Sequence, residues 1–259
     1  MRKARSSGAL VCFCISGLCA FSLFVGLSAI CSQRNDVASV HPDPLGRAAS
    51  AFDRELEDGR QAEYPLVDWD YWHDMNPSIV GWITIPGTPI DYPIVQADMS
   101  DADYYLTHDV YGRVNYCGCP FIDAACDTGA NSRNCVVSAH NLGDGGNLQF
   151  ECIAHYADEA YARSHDRVLL QTPDWKREFS VAFVDVEESN ALTMKTSFRD
   201  NADFSAWWTQ CATDANVSLA VETAAPEHVL TLSTCSYGAP DERTLVFAAE
   251  APPNTSSNE

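Results

Sequence analysis

The segment Thr231-Leu232-Ser233-Thr234-Cys235 ends an apolar strand pattern that begins at Val229, and Arg243 follows it eight residues later. The intervening segment, Ser236–Glu242, contains glycine and proline and is typical of a turn. A second strand pattern runs from Arg243 to Ala249. The two strands and their turn predict a β-hairpin in which Cys235 ends the first strand and Arg243 starts the second.

This predicted hairpin brings a thiol close to a guanidinium group. A cysteine thiolate is a strong nucleophile, and a cation beside it can stabilise the negative charge that develops during attack on a carbonyl. The alternative for Arg243 is a surface salt bridge with Asp241 or Glu242. We interpret the Cys235–Arg243 pair as part of an active site.

The segment 231–235, with Tyr237 and Arg243 after it, resembles the catalytic strand of sortases, and of class B sortases in particular. Four further blocks resemble class B sortases in the same order along the chain: Asn76–Ile83, Ile85–Pro93, Asp103–Leu106 and Ala139–Asn141. The resemblance implies a cysteine transpeptidase at the outer face of a Gram-positive cell membrane. Such an enzyme cleaves a C-terminal sorting signal through a thioacyl intermediate and joins the new carboxyl end to an amine.

His140 is the histidine whose surroundings favour catalysis, because it follows the predicted strand Cys135–Ala139 and opens a loop rich in glycine and aspartate. A side chain at the end of a rigid strand is well held, and the loop beyond it leaves room for substrate. A thiol at neutral pH needs such a base or a nearby cation to become a good nucleophile. The sortase family has glycine where this chain has Ala139.

The resemblance implies a role for each of these residues. Cys235 is the expected nucleophile, His140 the general acid and base, and Arg243 the group that stabilises the oxyanion or holds the substrate carbonyl. Thr234, Ser233 and Asn141 are expected to bind substrate, although Thr234 could instead position the nucleophile and Ser233 could bond only locally. We expect neither a metal ion nor a cofactor.

The N-terminus predicts a membrane anchor. Three basic residues within the first eight precede an uncharged apolar stretch, residues 9–31, which is long enough to span a bilayer as a helix. The positive-inside bias puts residues 1–8 in the cytoplasm and the rest of the chain outside. A cleavable signal peptide and a lipid anchor on Cys31 are the alternatives. Beyond the anchor we expect a stalk over residues 32–46, the catalytic domain over 47–250 and a tail over 251–259.

Net charge limits the partners. The formal charge of the chain is −20, and the segment after the anchor carries about −23 because the first 31 residues hold three basic and no acidic residues. Nucleic acid and anionic lipid headgroups are therefore excluded as partners by repulsion. The partners that the resemblance implies are surface proteins or pilins with a C-terminal sorting signal, and a cell-wall cross-bridge or lysine amine.

Eleven cysteines are present, of which four lie in the predicted anchor and seven follow it. If Cys235 is the nucleophile, the other six are an even number that an oxidising compartment would allow to pair. We expect at least one local disulfide between residues 117 and 135. A zinc knuckle formed by Cys117, Cys119 and Cys126 is disfavoured because a repeated C-x-x-C pair is missing.

Short strand patterns recur through the rest of the chain and predict a mainly β fold with peripheral helices. The predicted strands are 80–85, 90–95, 118–122, 135–139, 168–171, 179–187, 217–221, 229–234 and 243–249. The predicted helices are 47–58, 69–75, 148–161 and 204–213. The resemblance narrows this class to a sortase-like closed barrel of about eight strands with N-terminal helices.

Two rival functions use the same residues differently. A hydrolytic cysteine protease would form the same thioacyl intermediate but resolve it with water. An anchored, disulfide-rich adhesion module would use Cys235 as a structural half-cystine.

Overall fold

The alternating apolar patterns form a single sheet in a computed structural model of the protein. The structure describes residues 64–143, 149–188, 194–219, 224–235 and 242–251, and for Glu187, Glu188 and Cys235 it describes the backbone alone. The described residues belong to one unit, Ala51–Glu259.

Nine strands make up the sheet within these residues. They are β1 (Ile79–Thr84), β2 (Asp91–Gln96), β3 (Phe121–Ile122), β4 (Asn134–Ser138), β5 (Arg167–Gln171), β6 (Lys176–Glu188), β7 (Val217–Ser218), β8 (Val229–Cys235) and β9 (Glu242–Glu250). Eight of them lie in the order β5-β1-β2-β3-β4-β8-β9-β6, and β5 pairs with β6 to close the barrel. Strand β7 pairs with β6 outside that barrel. The predicted mainly β fold and closed barrel of about eight strands are confirmed.

Three α-helices accompany the barrel in the described residues. They are α1 (Trp69–Met75), α2 (Glu159–Ser164) and α3 (Asn201–Asp214), and short 3₁₀ helices cover Tyr104–Leu106, Gly129–Asn131 and Glu151–Ala157. An aspartate caps the start of each α-helix, because its carboxylate accepts a hydrogen bond from a backbone N–H in the first turn. These caps stop each helix from extending back towards the preceding loop.

Two elements differ from the sequence prediction. The strand predicted over 118–122 is reduced to β3, since Gly118 has φ +61°, a left-handed conformation that ends strand pairing. The helix predicted over 148–161 is a 3₁₀ helix followed by α2. The break is at Asp158, whose extended backbone and side chain cap α2 instead of continuing the first helix.

Apolar side chains fill the barrel and cover its outside. The interior cluster includes Ile83, Leu170 and Val246, which are almost fully buried. On the outside, Trp72 of α1 packs against Trp82 of β1 with ring centroids 5.5 Å apart. Helix α3 packs on β6 and β9 within a separate buried cluster. The barrel is therefore a rigid support for the residues at its strand ends.

The expected local disulfide is wrong. The six described cysteines are all thiols. The Cys126 sulfur donates a hydrogen bond to the Asn134 carbonyl at 3.6 Å and accepts one from the Val136 N–H at 3.4 Å. That sulfur therefore pairs with the backbone of β4, where β3 has already ended, and stabilises the strand without a covalent link.

None of the helices from residue 64 onward that the structure describes is long and apolar enough to cross a membrane. The anchor predicted over 9–31, the stalk and the helix predicted over 47–58 lie outside the described residues.

Candidate active site

Strand β8 places Cys235 at the end of a fully supported strand. It lies between β4, which runs parallel to it, and β9, which runs antiparallel. Cys235 is the last residue of β8, and its register partner on β9 is Arg243. The predicted hairpin and its Cys235–Arg243 pairing are therefore present, and the backbone of the cysteine is held by neighbours on both sides.

His140 reaches the same edge of the barrel from β4. Parallel strands end at the same edge of a sheet, and Ser138 at the end of β4 is the register partner of Ser233 on β8. The pairing continues beyond β4, since the N–H of Ala139 donates to the Ser233 carbonyl at 3.2 Å. The next residue, His140, is therefore level with Cys235.

The Thr234 side chain links the two strand ends. It is fully buried, and its hydroxyl donates to the carbonyl of Ala139 at 3.0 Å. The residue before the cysteine is thus bonded to the residue before the histidine. Of the two roles predicted for Thr234, positioning of the nucleophile agrees with this contact, and substrate binding stays a prediction.

The other two predicted substrate-binding residues are also largely buried. The Ser233 side chain has 0% exposure, and its hydroxyl has no hydrogen-bond partner in the described part of the chain. Asn141 is 9% exposed and its side-chain oxygen accepts a hydrogen bond from the N–H of Gly143 at 3.4 Å. Their contacts with substrate stay predictions.

The His140 ring has a definite orientation. Its Nε2 lies 2.8 Å from the carbonyl oxygen of Leu106. A carbonyl only accepts hydrogen bonds, so Nε2 must carry the proton, and in the neutral ring Nδ1 is left unprotonated. The half-buried imidazole can therefore exchange a proton through Nδ1 while Nε2 holds it in place.

Arg243 is half-buried near the start of β9. Its backbone lies between Cys235 on β8 and Glu187 on β6. Of the two salt-bridge partners weighed from sequence, Glu242 makes no ion pair with it, and Asp241 lies outside the described residues. A guanidinium offers five N–H donors in a planar fork, which suits a carbonyl or oxyanion.

Burial makes four other thiols poor nucleophiles. It raises the pKa of Cys126 and Cys152 to about 11, and it also raises the pKa of Cys119 and Cys135. Since the thiolate is the attacking species, these cysteines are almost entirely unreactive at neutral pH.

Sequence reasoning missed the role of the loop 104–119. Asp103–Leu106 was recognised as one of the blocks of resemblance, but no function was attached to it. The contact with His140 is made by the main-chain carbonyl of Leu106, which no side-chain pattern encodes. The available signal was that this block carries apolar and aromatic residues with no strand or helix of its own to support.

Comparison with known proteins agrees with this architecture. The family model of the sortase domain matches residues 83–251. Sortase B of Listeria monocytogenes is 27% identical over 161 residues, which cover 62% of this chain and 64% of that protein. Sortase B of Staphylococcus aureus is 24% identical over 197 residues, which cover 73% of this chain and 77% of that protein.

Solved structures give the same result. The structure of Clostridium perfringens sortase B superposes with a TM-score of 0.65 at 26% identity, covering 71% of this chain and 100% of that one. The chain therefore belongs to the sortase family of cysteine transpeptidases. Its relatives are class B members, and the resemblance stated from sequence is confirmed.

Proposed function

We propose that the protein is a membrane-anchored, extracytoplasmic transpeptidase that cleaves a C-terminal sorting signal after threonine and joins the new carboxyl end to a cell-wall or pilin amine. The observation that carries the proposal is the meeting of three strand segments at one edge of the barrel. The end of β8 has the segment after β4 on one side and the start of β9 on the other. Cys235, His140 and Arg243 are the residues at that point.

In the first half of the proposed reaction, the Cys235 thiolate attacks the carbonyl carbon of the threonine residue. The carbonyl oxygen becomes an oxyanion, which the Arg243 guanidinium stabilises through charge and hydrogen bonds. His140 then donates a proton to the leaving amine, so that the peptide bond breaks and a thioester to Cys235 remains. The residue after threonine is glycine or asparagine by family precedent.

In the second half, an amine replaces the departed peptide. His140 takes a proton from the incoming amine as the nitrogen attacks the thioester carbonyl, and the thiolate of Cys235 leaves. The product is a new amide bond, so no net hydrolysis occurs. Staphylococcus aureus sortase B has been solved with a substrate and with triglycine, and those ligands support a sorting signal and an amine as the two substrates here.

The anchor supports the proposed location. The apolar stretch 9–31 follows a basic N-terminus, which favours a single span with the catalytic domain outside the cell. A domain held there would meet exported proteins as their C-terminal signals emerge from the membrane.

Mass spectrometry tests the reaction directly. The protein is incubated with a panel of sorting-signal peptides, with and without glycine or lysine amines, beside Cys235→Ala. The proposal expects an acyl adduct on Cys235 and amine-dependent products, both missing in the variant. Products that form only with water would identify a hydrolase, and no adduct with any peptide would contradict the proposal.

Arg243→Lys separates the guanidinium fork from its charge. Removal of an oxyanion donor costs about 10²–10³ in kcat, and a lysine ammonium does not reproduce the planar fork. Arg167→Lys is the matched control, because Arg167 forms its own fork with Glu178. Its register partner on β6 is seven residues from that of Arg243, about 23 Å along the strand. Equal kcat values for the two variants would contradict the role given to Arg243.

A further inference from the structure

The loop 104–119 holds the carbonyl that orients His140. Leu106 ends a 3₁₀ turn, and the carbonyl of the preceding Tyr105 accepts a hydrogen bond from the N–H of Cys119 at 3.1 Å. The carbonyl of the following Thr107 accepts one from Asn115 at 2.8 Å. The Leu106 carbonyl therefore lies between two cross-links to the far side of its own loop.

Gly118 lies directly against these carbonyls. A Cβ atom built on Gly118 would lie 2.4 Å from the Tyr105 oxygen and 3.0 Å from the Leu106 oxygen. Ordinary contact begins at 3.4 Å, so the Tyr105 carbonyl would have to move by about 1 Å to admit a methyl group. Gly118 also has φ +61°, which side chains rarely tolerate. The close approach thus depends on glycine.

A second set of contacts joins Gly118 back to the histidine. The Gln149 side chain donates from Nε2 to the Gly118 carbonyl at 3.3 Å. Gln149 itself has φ 53°, an uncommon backbone conformation for a residue other than glycine. The next residue, the fully buried Phe150, donates its N–H to the His140 carbonyl at 3.1 Å. His140 is therefore held at its ring by Leu106 and at its backbone by Phe150.

We propose that Gly118 is a positioning residue for the reaction: by letting the Tyr105 and Leu106 carbonyls pack against its backbone, it holds the acceptor that orients the His140 ring, with Gln149 fastening it to the loop after the histidine. The inference rests on the proposed catalytic role of His140. The Leu106 carbonyl restrains Nε2, and Nδ1 is left as the nitrogen that exchanges the proton with the amine.

Gly118→Ala tests this role, and Gly112→Ala is its matched control. Gly112 lies in the same loop with φ +73°, but a Cβ there would meet the Tyr104 hydroxyl alone, at 3.5 Å. Both variants therefore carry the same backbone strain, and one of them displaces the carbonyls. A misplacement of about 1 Å can cost about 100-fold, so we expect kcat to fall 10- to 100-fold in Gly118→Ala with KM changed less than about threefold.

The second readout does not depend on activity. The full chain is labelled with ¹⁵N-histidine in detergent micelles in a Cys235→Ala background, and the His140 ring signal is assigned by its loss in His140→Gln. A ring N–H proton is visible when a hydrogen bond slows its exchange with water. We expect a protected Nε2–H signal in the parent and in Gly112→Ala, and its loss or broadening in Gly118→Ala.

The outcomes separate this inference from the proposed function. If no peptide reacts, the proposed function fails, while the Nε2–H signal still reports whether Gly118 orients the ring. A protected signal in Gly118→Ala, or the same loss in Gly112→Ala, would overturn the inference. If Gly118→Ala does not fold, Gln149→Ala decides instead: it removes the donor to the Gly118 carbonyl, and we expect about a fivefold loss of kcat with faster exchange of the Nε2–H proton. An unchanged signal and kcat in Gln149→Ala would overturn it as well.

Discussion

Replacement of Thr234 by valine should weaken the link between the two strand ends. Valine keeps the shape of threonine but replaces the hydroxyl, which donates to the Ala139 carbonyl at 3.0 Å within a fully buried site. Loss of the bond and burial of a less satisfied carbonyl cost about 1–3 kcal/mol in the free energy of unfolding. In a domain of this size, that corresponds to a fall in Tm of about 3–9 °C.

Equilibrium urea unfolding, followed by tryptophan fluorescence, measures this loss. We expect a lower midpoint with an unchanged m-value, since the surface exposed on unfolding stays the same. We also expect kcat to fall about tenfold, because the bond joins the residues next to Cys235 and His140 and a small misplacement of catalytic groups is costly.

Ser233→Ala is the matched control. Ser233 precedes Thr234 and is equally buried, but its hydroxyl has no partner in the described residues. Its removal should change the free energy of unfolding by less than about 0.5 kcal/mol or stabilise the protein slightly. The reasoning is refuted if Thr234→Val is as stable as the parent, or if Ser233→Ala loses as much.

Two further predictions concern stability. Asn134 is fully buried, accepts a hydrogen bond from Thr231 at 2.6 Å and donates to the Lys195 carbonyl at 2.9 Å; Asn134→Ala should therefore lose about 2–4 kcal/mol in urea unfolding, and Thr231→Val, which keeps the bond to Lys195, should lose less. The pKa of Cys126 and Cys152 is raised from 9.0 to about 11 by burial, so their contribution is complete below pH 9 and is lost as the pH rises towards 11, by about 2–3 kcal/mol for each thiol. Unfolding titrations across that range should show the fall, and Cys152→Ala should reduce it; a flat profile would contradict the assignment.

The predicted hairpin was accessible from sequence because its parts are local. An apolar run, a turn rich in glycine and proline, and a second apolar run specify two antiparallel neighbours. With the spacing between Cys235 and Arg243, they predict a register that agrees with the observed pairing. His140 was found in the same way, as a residue that follows an apolar strand and precedes a glycine-rich loop.

The expected disulfide shows where spacing is not enough. Cysteine counts and distances along the chain allow pairing but do not define the geometry that a disulfide needs. In the folded chain Cys126 bonds to the backbone of β4, and Cys135 is buried within that strand. The positions of both sulfurs follow from how β3 ends beside β4, which depends on the whole barrel.

The sequence by itself determined the fold class, the strand that carries Cys235 and the choice of His140 and Arg243 as candidates, because periodicity and turn chemistry act over a few residues. Only the tertiary structure decided that β4 runs beside β8 and that β5 closes on β6, because such pairings depend on which distant apolar faces are buried together. It also decided the contact between His140 and Leu106. That contact uses a main-chain carbonyl, which every residue possesses, so no residue type in the sequence could announce it.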